Sequence, residues 1–449
     1  MKTALDWSDY TDAGMGDAYA DIPKHGGDYG KAVAVCIKSG LCQQPGDRGL
    51  MCPSFRASGD KRLSPGGRVE LLKQLLNQPA GFAAELPAGL SAAMDSCVSC
   101  KGCRRECENA VDMARIKIEY LAQRRHLPMP AGRRLRAHLF ATLPHWLHYR
   151  PLFKSLIRWR NSSRWLAQLG QRWLGIAADE PLPQPALQPF DKYAAYRRTP
   201  EQCDLLLLAD TFGHHFEPQL LDTCLQLLQR AGYRVAIAAP AAGDAEPDRP
   251  LCCGRTYLSQ GWVDEARDEA RRMLQAVGPY VERGVPLVGL EPSCLLTLRD
   301  EYRALGLGQA AETLAANSLL LEEFIAREQR SGRWALAFAL DTELDVSPHC
   351  HQRAFGAMRA TRRVLQSVAG LRFTLVDSGC CGMAGHVGLE AEQQPLSDTL
   401  WQQSEAARAP EAPLTLRNGF SCRHRHRQRA ATPTAHLVEL LSQALPPGE

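Results

Sequence analysis

The chain has 449 residues, is 45% hydrophobic and 23% charged, and carries a formal net charge of +4, which allows two or three globular domains and gives no case for nucleic acid. Its 16 cysteines fall into CxxC runs and CC pairs, which suit metal ligation in a reducing, cytoplasmic setting better than a short secreted disulfide scaffold. No apolar run approaches the roughly 20 residues that span a bilayer, and MKTALDWSDYTDAG lacks the apolar stretch of a signal peptide.

Residues 1–35, polar and rich in Gly and Asp, are expected to form an irregular arm. Residues 36–125 read as a compact α-helical unit with cysteine loops between its helices. Ser64 and Pro65 form an N-cap and N1 pair before Val69, Leu72, Leu75 and Leu76 at helical spacing. A second helix begins near Asp112, with Met113, Ile116, Tyr120 and Leu121 as its apolar positions.

Residues 126–200 form a basic, Trp-rich helical segment ending in the extended linker PLPQPALQPF (Pro181 to Phe190). Between Leu121 and Ala178 there is no Asp or Glu, while arginines recur and Trp146, Trp159, Trp165 and Trp173 are interleaved. Two readings stand. In one, a helical hairpin packs its tryptophans on the next domain; in the other, an amphipathic segment meets anionic lipid or a partner's acidic face.

From residue 201 strands and helices alternate, which argues for α/β layers with parallel strands. The strand patterns are CDLLLLAD, YRVAIAA and VPLVGL, then FTLVDS and PLTLRNG. Cys252-Cys253-Gly254 and Cys380-Cys381-Gly382 are separated by 128 positions, and so are Cys294 and Cys422. This spacing predicts a tandem duplication, with one unit over 201–335 and another over 336–449.

Cys97, Cys100, Cys103 and Cys107 follow C-x2-C-x2-C-x3-C, the spacing with which bacterial ferredoxins hold iron–sulfur cubes. Three thiolates wound round one concave loop suit a [4Fe-4S] cluster, whereas zinc favours two CxxC pairs. In those ferredoxins a proline follows the fourth cysteine, and that cysteine serves the other cluster. Here Glu108 takes that place and the proline follows Cys52 instead. Crossed ligation then assigns Cys52 to Cys97, Cys100 and Cys103, and Cys107 to Cys36 and Cys42. The second cube would have three thiolates, because Ser39 stands where a middle cysteine belongs; that serine, a water or a His such as His25 would complete it.

The segments CVSCKGCRREC, MCPSFRASGDKRLSPGGR, PLCCGRTYLSQGWVDEAR, GLEPSCLLTLRDEY, PHCHQRAFG, CCGMAGHVG and FSCRHR resemble the iron–sulfur half of FAD-linked 2-hydroxyacid dehydrogenases. That half occurs as a separate subunit, as in glycolate oxidase, or fused behind the flavin domain, and the fused D-2-hydroxyglutarate and D-lactate dehydrogenases are the closer match. The resemblance implies an electron-transfer subunit that passes electrons from an FAD-containing dehydrogenase to an acceptor such as quinone. No G-x-G-x-x-G is found, so the flavin is expected on another polypeptide. Substrate oxidation would occur there, and contact with the membrane would be peripheral, at its inner face.

The CCG units also resemble those of heterodisulfide reductase, whose cysteines hold a four-iron cluster. Carried over, the second unit keeps Cys350, Cys380, Cys381 and Cys422 as candidate ligands of a cluster or zinc, with Gly419 in place of one cysteine. The first keeps Cys252, Cys253 and Cys294, with Glu291 and Asp210-Thr211-Phe212 at the other positions. Rival readings are a thiol–disulfide reductase using the CCG cysteines and a metal-stabilised scaffold without redox function. Cys203 and Cys224 read as core thiols, and His214, His215 and His386 as loop histidines beside the CCG sites, candidates for a proton relay. The run SCRHRHRQR reads as a solvated basic face.

Overall fold

The computed structural model describes residues 2–11, 21–44, 49–149, 151–408 and 412–446. The part of the chain before residue 125 is helical. Ser64 Oγ accepts from Gly67 N at 3.0 Å and starts the helix Pro65–Leu76. Asp112 accepts from Arg115 N and starts Met113–Arg124. Such caps satisfy amides that the first helical turn leaves without partners.

Where an irregular arm is expected, the described residues include the helix Gly27–Ala34 and buried Leu5 and Trp7. Polarity misleads here because one buried carboxylate gathers the arm. Glu119 accepts from Ala4 N, Leu5 N and Trp7 Nε1.

The acid-free stretch forms the helices Ala131–Ala141, Leu143–Tyr149, Pro151–Ser162 and Arg164–Leu174. Trp159, Trp165 and Trp173 are 61%, 67% and 67% exposed, so these three do not pack on the next domain. The Pro-rich segment that follows is pinned, with Ala186 N and Phe190 N donating to the carbonyls of His215 and His214.

Two four-stranded parallel sheets follow. The first contains β1 (Leu205–Leu208), β2 (Val235–Ile237), β3 (Leu287–Gly289) and β4 (Ser318–Leu320) in the order β2-β1-β3-β4. The second contains β5 (Phe338–Val346), β6 (Val368–Leu375), β7 (Thr415–Leu416) and β8 (Thr434–Ala435) in the order β6-β5-β7-β8. The same order occurs twice, as tandem copies of one unit would produce.

Leu205 and Leu207 of β1 share a core with Leu344 and Val346 of β5, while Leu206 and Leu208 face the core that continues into the helical part through Tyr29, Leu72 and Ile116. Alternate side chains of one strand therefore tie the first sheet to both neighbours. The basic run near the C-terminus is also internal. Arg423 and Arg425 on the helix Phe420–Arg429 are buried and pair with Glu217 and with Glu180 and Asp398. Partners distant in sequence replace solvation.

Candidate functional site

The triple-cysteine loop is wound by two residues in the left-handed region, Ser99 (φ 50°) and Lys101 (φ 61°), which turns Cys97, Cys100 and Cys103 towards one small buried cavity. Cys52 lines the same cavity from the position before the helix Pro53–Ser58. The upstream loop repeats the conformation at equivalent places, with Lys38 (φ 60°) and Gly40 (φ 75°) on either side of exposed Ser39. Ser39 thus corresponds to Cys100. Cys36, Cys42 and Cys107 are half-buried, and Cys36 feels the charge of both others, which raises its pKa after burial has already done so. His25 lies exposed on the surface.

Arg68 is fully buried beside the first group. It donates to Ala93 O at 2.6 Å, to Ser96 Oγ at 3.1 Å and to Cys52 Sγ at 3.5 Å. Lys117, also buried, donates to Cys97 O at 2.6 Å. Burial pushes the Cys97 thiol up, but Arg68 and Lys117 outweigh it and leave it below its ordinary value. Cys100 and Cys103 are raised, chiefly by burial. Neutral thiols would leave the buried Arg68 guanidinium with no anion beside it, and Lys117 with only the charges of Asp95 and Glu390. A cube with four thiolates is anionic and meets them, so the donor set fits a [4Fe-4S] cluster.

The second CCG site adjoins this one. Cys350 opens the helix Cys350–Ala354, and Cys350 and Cys380 share an apolar cluster with Cys100. His351, kept neutral by burial, donates from Nε2 to the carbonyl of Ser99 at 3.0 Å. Cys381 is the thiol of its group that ionises most readily, because Cys380 and Cys422 both hydrogen-bond to it; Cys380 and Cys422 are raised in consequence, and burial pushes Cys350 up to about 12. A Cβ on Gly419 would lie 2.3 Å from His349 Cδ2. The imidazole of His349 therefore occupies the space that the absent cysteine would need.

The first CCG site is closed. Cys252, Cys253 and Cys294 are 2%, 4% and 1% exposed, and Thr211, at the place of Cys350, hydrogen-bonds with Cys252. Hydrogen bonding with Cys253 favours the Cys294 thiolate, yet burial and the carboxyls of Asp210 and Glu291 push it up to about 12. Burial and Glu291 also raise Asp210 to about 7. His214 and His215 sit buried on the helix Thr211–His215, not on a loop; only His386 of the three singled out lies in one. Cys203 and Cys224 are core residues.

Lys101 is 2% exposed and pairs with Asp112, Asp300 and Glu301, Arg255 also pairs with Glu301, and His351 of the second unit holds Ser99 O. The cluster loop is thereby docked on both α/β units. These cations gave no signal in sequence, since isolated basic residues in cysteine loops look solvated. His349 and His351 could have been noticed, because PHCHQR sets a histidine on each side of Cys350. Among the described residues, no three His, Cys, Asp or Glu side chains converge as on a single metal ion.

Residues 32–111 match the 4Fe-4S dicluster domain. The chain is 26% identical over 459 residues to D-2-hydroxyglutarate dehydrogenase of Pseudomonas putida, covering 91% of this chain and 43% of that protein. It is 24% identical over 432 residues to the glycolate oxidase iron-sulfur subunit of Escherichia coli, covering 92% and 94%. A component of the anaerobic glycerol-3-phosphate dehydrogenase of Escherichia coli is 26% identical over 239 residues, covering 52% of this chain and 57% of that protein. The chain spans less than half the length of the D-2-hydroxyglutarate dehydrogenases it matches. It carries an iron–sulfur domain of the [4Fe-4S] type and is similar along most of its length to an iron–sulfur subunit of an oxidoreductase.

Proposed function

We propose that this chain transfers electrons, one at a time, from a partner FAD-dependent 2-hydroxyacid dehydrogenase to an acceptor such as quinone. The observation that carries the reading is the abutment of the cysteine groups: Cys97, Cys100, Cys103 and Cys52 around one cavity, with Cys350 and Cys380 packed on Cys100. Cys52 completes the first cube and Cys107 joins Cys36 and Cys42 at a second. Residues 36–125 would form the ferredoxin unit, and 201–335 and 336–449 the two CCG units. A cluster held by cubane ligands supplies reversible one-electron transfer at a potential set by charge and hydrogen bonds around its sulfurs.

The residues of this chain supply that setting. Arg68 and Lys117 place positive charge against the first thiolates, and burial excludes water. Cys350, Cys380, Cys381 and Cys422 form the next station, with His349 filling the gap at Gly419. Cys252, Cys253 and Cys294 are a sealed remnant of the same site, which speaks against disulfide chemistry there because raised, buried thiols react poorly.

No described helix is long and apolar enough to cross a membrane. The hairpin Pro151–Ser162 and Arg164–Leu174, basic and without acids, exposes Leu152, Leu156, Trp159, Trp165 and Trp173 and suits the anionic inner face of a cytoplasmic membrane. The test is anaerobic co-purification of the native complex, followed by assays of a panel of 2-hydroxy acids. A brown chain that elutes with a flavoprotein and is bleached by its hydroxy acid supports the reading. A chain that stays oxidised under every such donor contradicts it.

A further inference from the structure

A cavity of about 610 Å³ lies between the two cysteine groups and the basic helices. Cys97, Cys350, Cys380, Cys381 and Cys422 line its floor, and Cys252, Cys253 and Cys294 do not reach it. Its walls are apolar, formed by Leu139, Phe140, Ile157 and Leu166 among others. Leu156, Leu169 and Trp173 line it while 51%, 38% and 67% exposed, which places its mouth in the hairpin surface. Near the thiol end His386 stacks on Phe140 with ring centroids 5.4 Å apart. Its Nδ1 is 3.1 Å from Glu390, and its Nε2 is 2.8 Å from Gln260.

This arrangement has a direction. One end is lined with sulfur and holds a histidine–carboxylate pair; the other is greasy and opens where tryptophan and leucine side chains project. Pockets of this size take a ring with a short chain, and because the lining is mostly apolar, with Lys117, Arg160, Arg255 and Arg417 as its cations, a carrier that is largely hydrocarbon gives up least hydration there. We propose that the cavity binds a lipid-soluble, quinone-class carrier, its ring toward Cys381 and His386 and its tail leaving past Trp173. The proposal rests on the electron-transfer reading above. The ring takes up two electrons, supplied singly through the cysteine-held groups from a 2-hydroxy acid oxidised to the 2-oxo acid on the flavoprotein. It takes up two protons, for which His386 beside Glu390 serves as a relay on the cavity wall, and leaves as the hydroquinone. The inorganic group proposed at the four CCG cysteines occupies the floor, and the carrier takes the apolar remainder.

The test uses the full chain, purified anaerobically with its clusters, and a short-tailed azidoquinone as photolabel. Label is expected in residues 139–174 and 383–389, displaced by excess unlabelled short-tailed quinone. Leu166→Trp or Leu139→Trp, which fill the cavity, should each cut labelling about tenfold or more, as loss of a few buried methylenes would, with iron and sulfide content unchanged. Label mapped elsewhere, or undiminished in both variants with clusters intact, overturns the proposal. Quinone reduction by the whole complex that persists in both variants overturns the site and leaves the electron-transfer reading standing. Labelling as expected without reduction in the parent complex overturns that reading and leaves the site.

Discussion

Replacing Arg68 with Met asks whether the first cysteine group is anionic. The guanidinium is 0% exposed and faces Cys52 Sγ at 3.5 Å, with Cys97 the main thiol favouring its charge against the cost of burial. If the site holds a cube with four thiolates, Arg68→Met leaves buried negative charge without its partner, and breaking a buried pair from one side costs about 3–5 kcal/mol. Ala93 O keeps a donor in Ser96 Oγ at 2.8 Å, so little of the loss comes from that carbonyl. At ~2–4 °C per kcal/mol for a chain unit of this size the midpoint should fall by roughly 6–20 °C. The assay is anaerobic thermal bleaching of the visible cluster absorbance, with Arg68→Lys as the control that keeps the charge and loses the fork. Methionine in place of a buried cation that faces neutral thiols would instead remove an uncompensated charge and be stabilising. A rise in midpoint for Arg68→Met therefore refutes the anionic site.

The closed first CCG site should be dispensable for electron flow: Cys252→Ser with Cys253→Ser should retain most hydroxy-acid-to-quinone activity in the complex, at about 1–3 kcal/mol of stability for each buried hydroxyl left unpaired. Loss of all activity with clusters intact would restore thiol chemistry at that pair. Glu322, buried and accepting from Thr361 Oγ1 at 3.3 Å, is raised by burial to about 7. Its stabilising protonation is complete below the ordinary carboxyl range and is lost as pH rises through about 7, so Glu322→Gln should gain roughly 3 kcal/mol at about pH 8 and no more than about 1 kcal/mol near pH 5. Parallel denaturation curves at the two pH values would contradict this. The exposed hairpin should bind anionic vesicles and release them as salt is raised, and Trp159→Ser with Trp165→Ser should weaken that binding about tenfold or more. Equal binding of the parent to neutral vesicles would exclude the electrostatic contact.

The parts of this molecule legible in its sequence are those encoded locally. The caps at Ser64 and Asp112 and the strand β1 lie where spacing puts them, because one turn of helix or one buried strand decides them. The strand β6 begins earlier than FTLVDS implies, and β4 and β8 are too short to carry a pattern. The equal offsets of 128 positions, which pointed to a repeat, go with one strand order found in both sheets. What could not be read depends on distant partners. Glu119 draws the arm inward, and Glu217 and Glu180 bury Arg423 and Arg425. Within the site, the glycine at 419 looked like the loss of a ligand, while the imidazole filling its place comes from a loop 70 positions earlier.

The central claim is that two cysteine groups share the ferredoxin unit with their fourth cysteines exchanged. Anaerobic iron and sulfide analysis with EPR on Cys52→Ser, Cys36→Ser and Cys107→Ser tests it most directly. The expected result is that Cys52→Ser damages the cube at Cys97, Cys100 and Cys103, while Cys36→Ser and Cys107→Ser alter one and the same other signal and leave that cube in place, each change amounting to about four iron atoms. If Cys107→Ser removes the signal of the triple run and Cys52→Ser leaves every signal intact, the run ligates its own cube and the exchange is wrong.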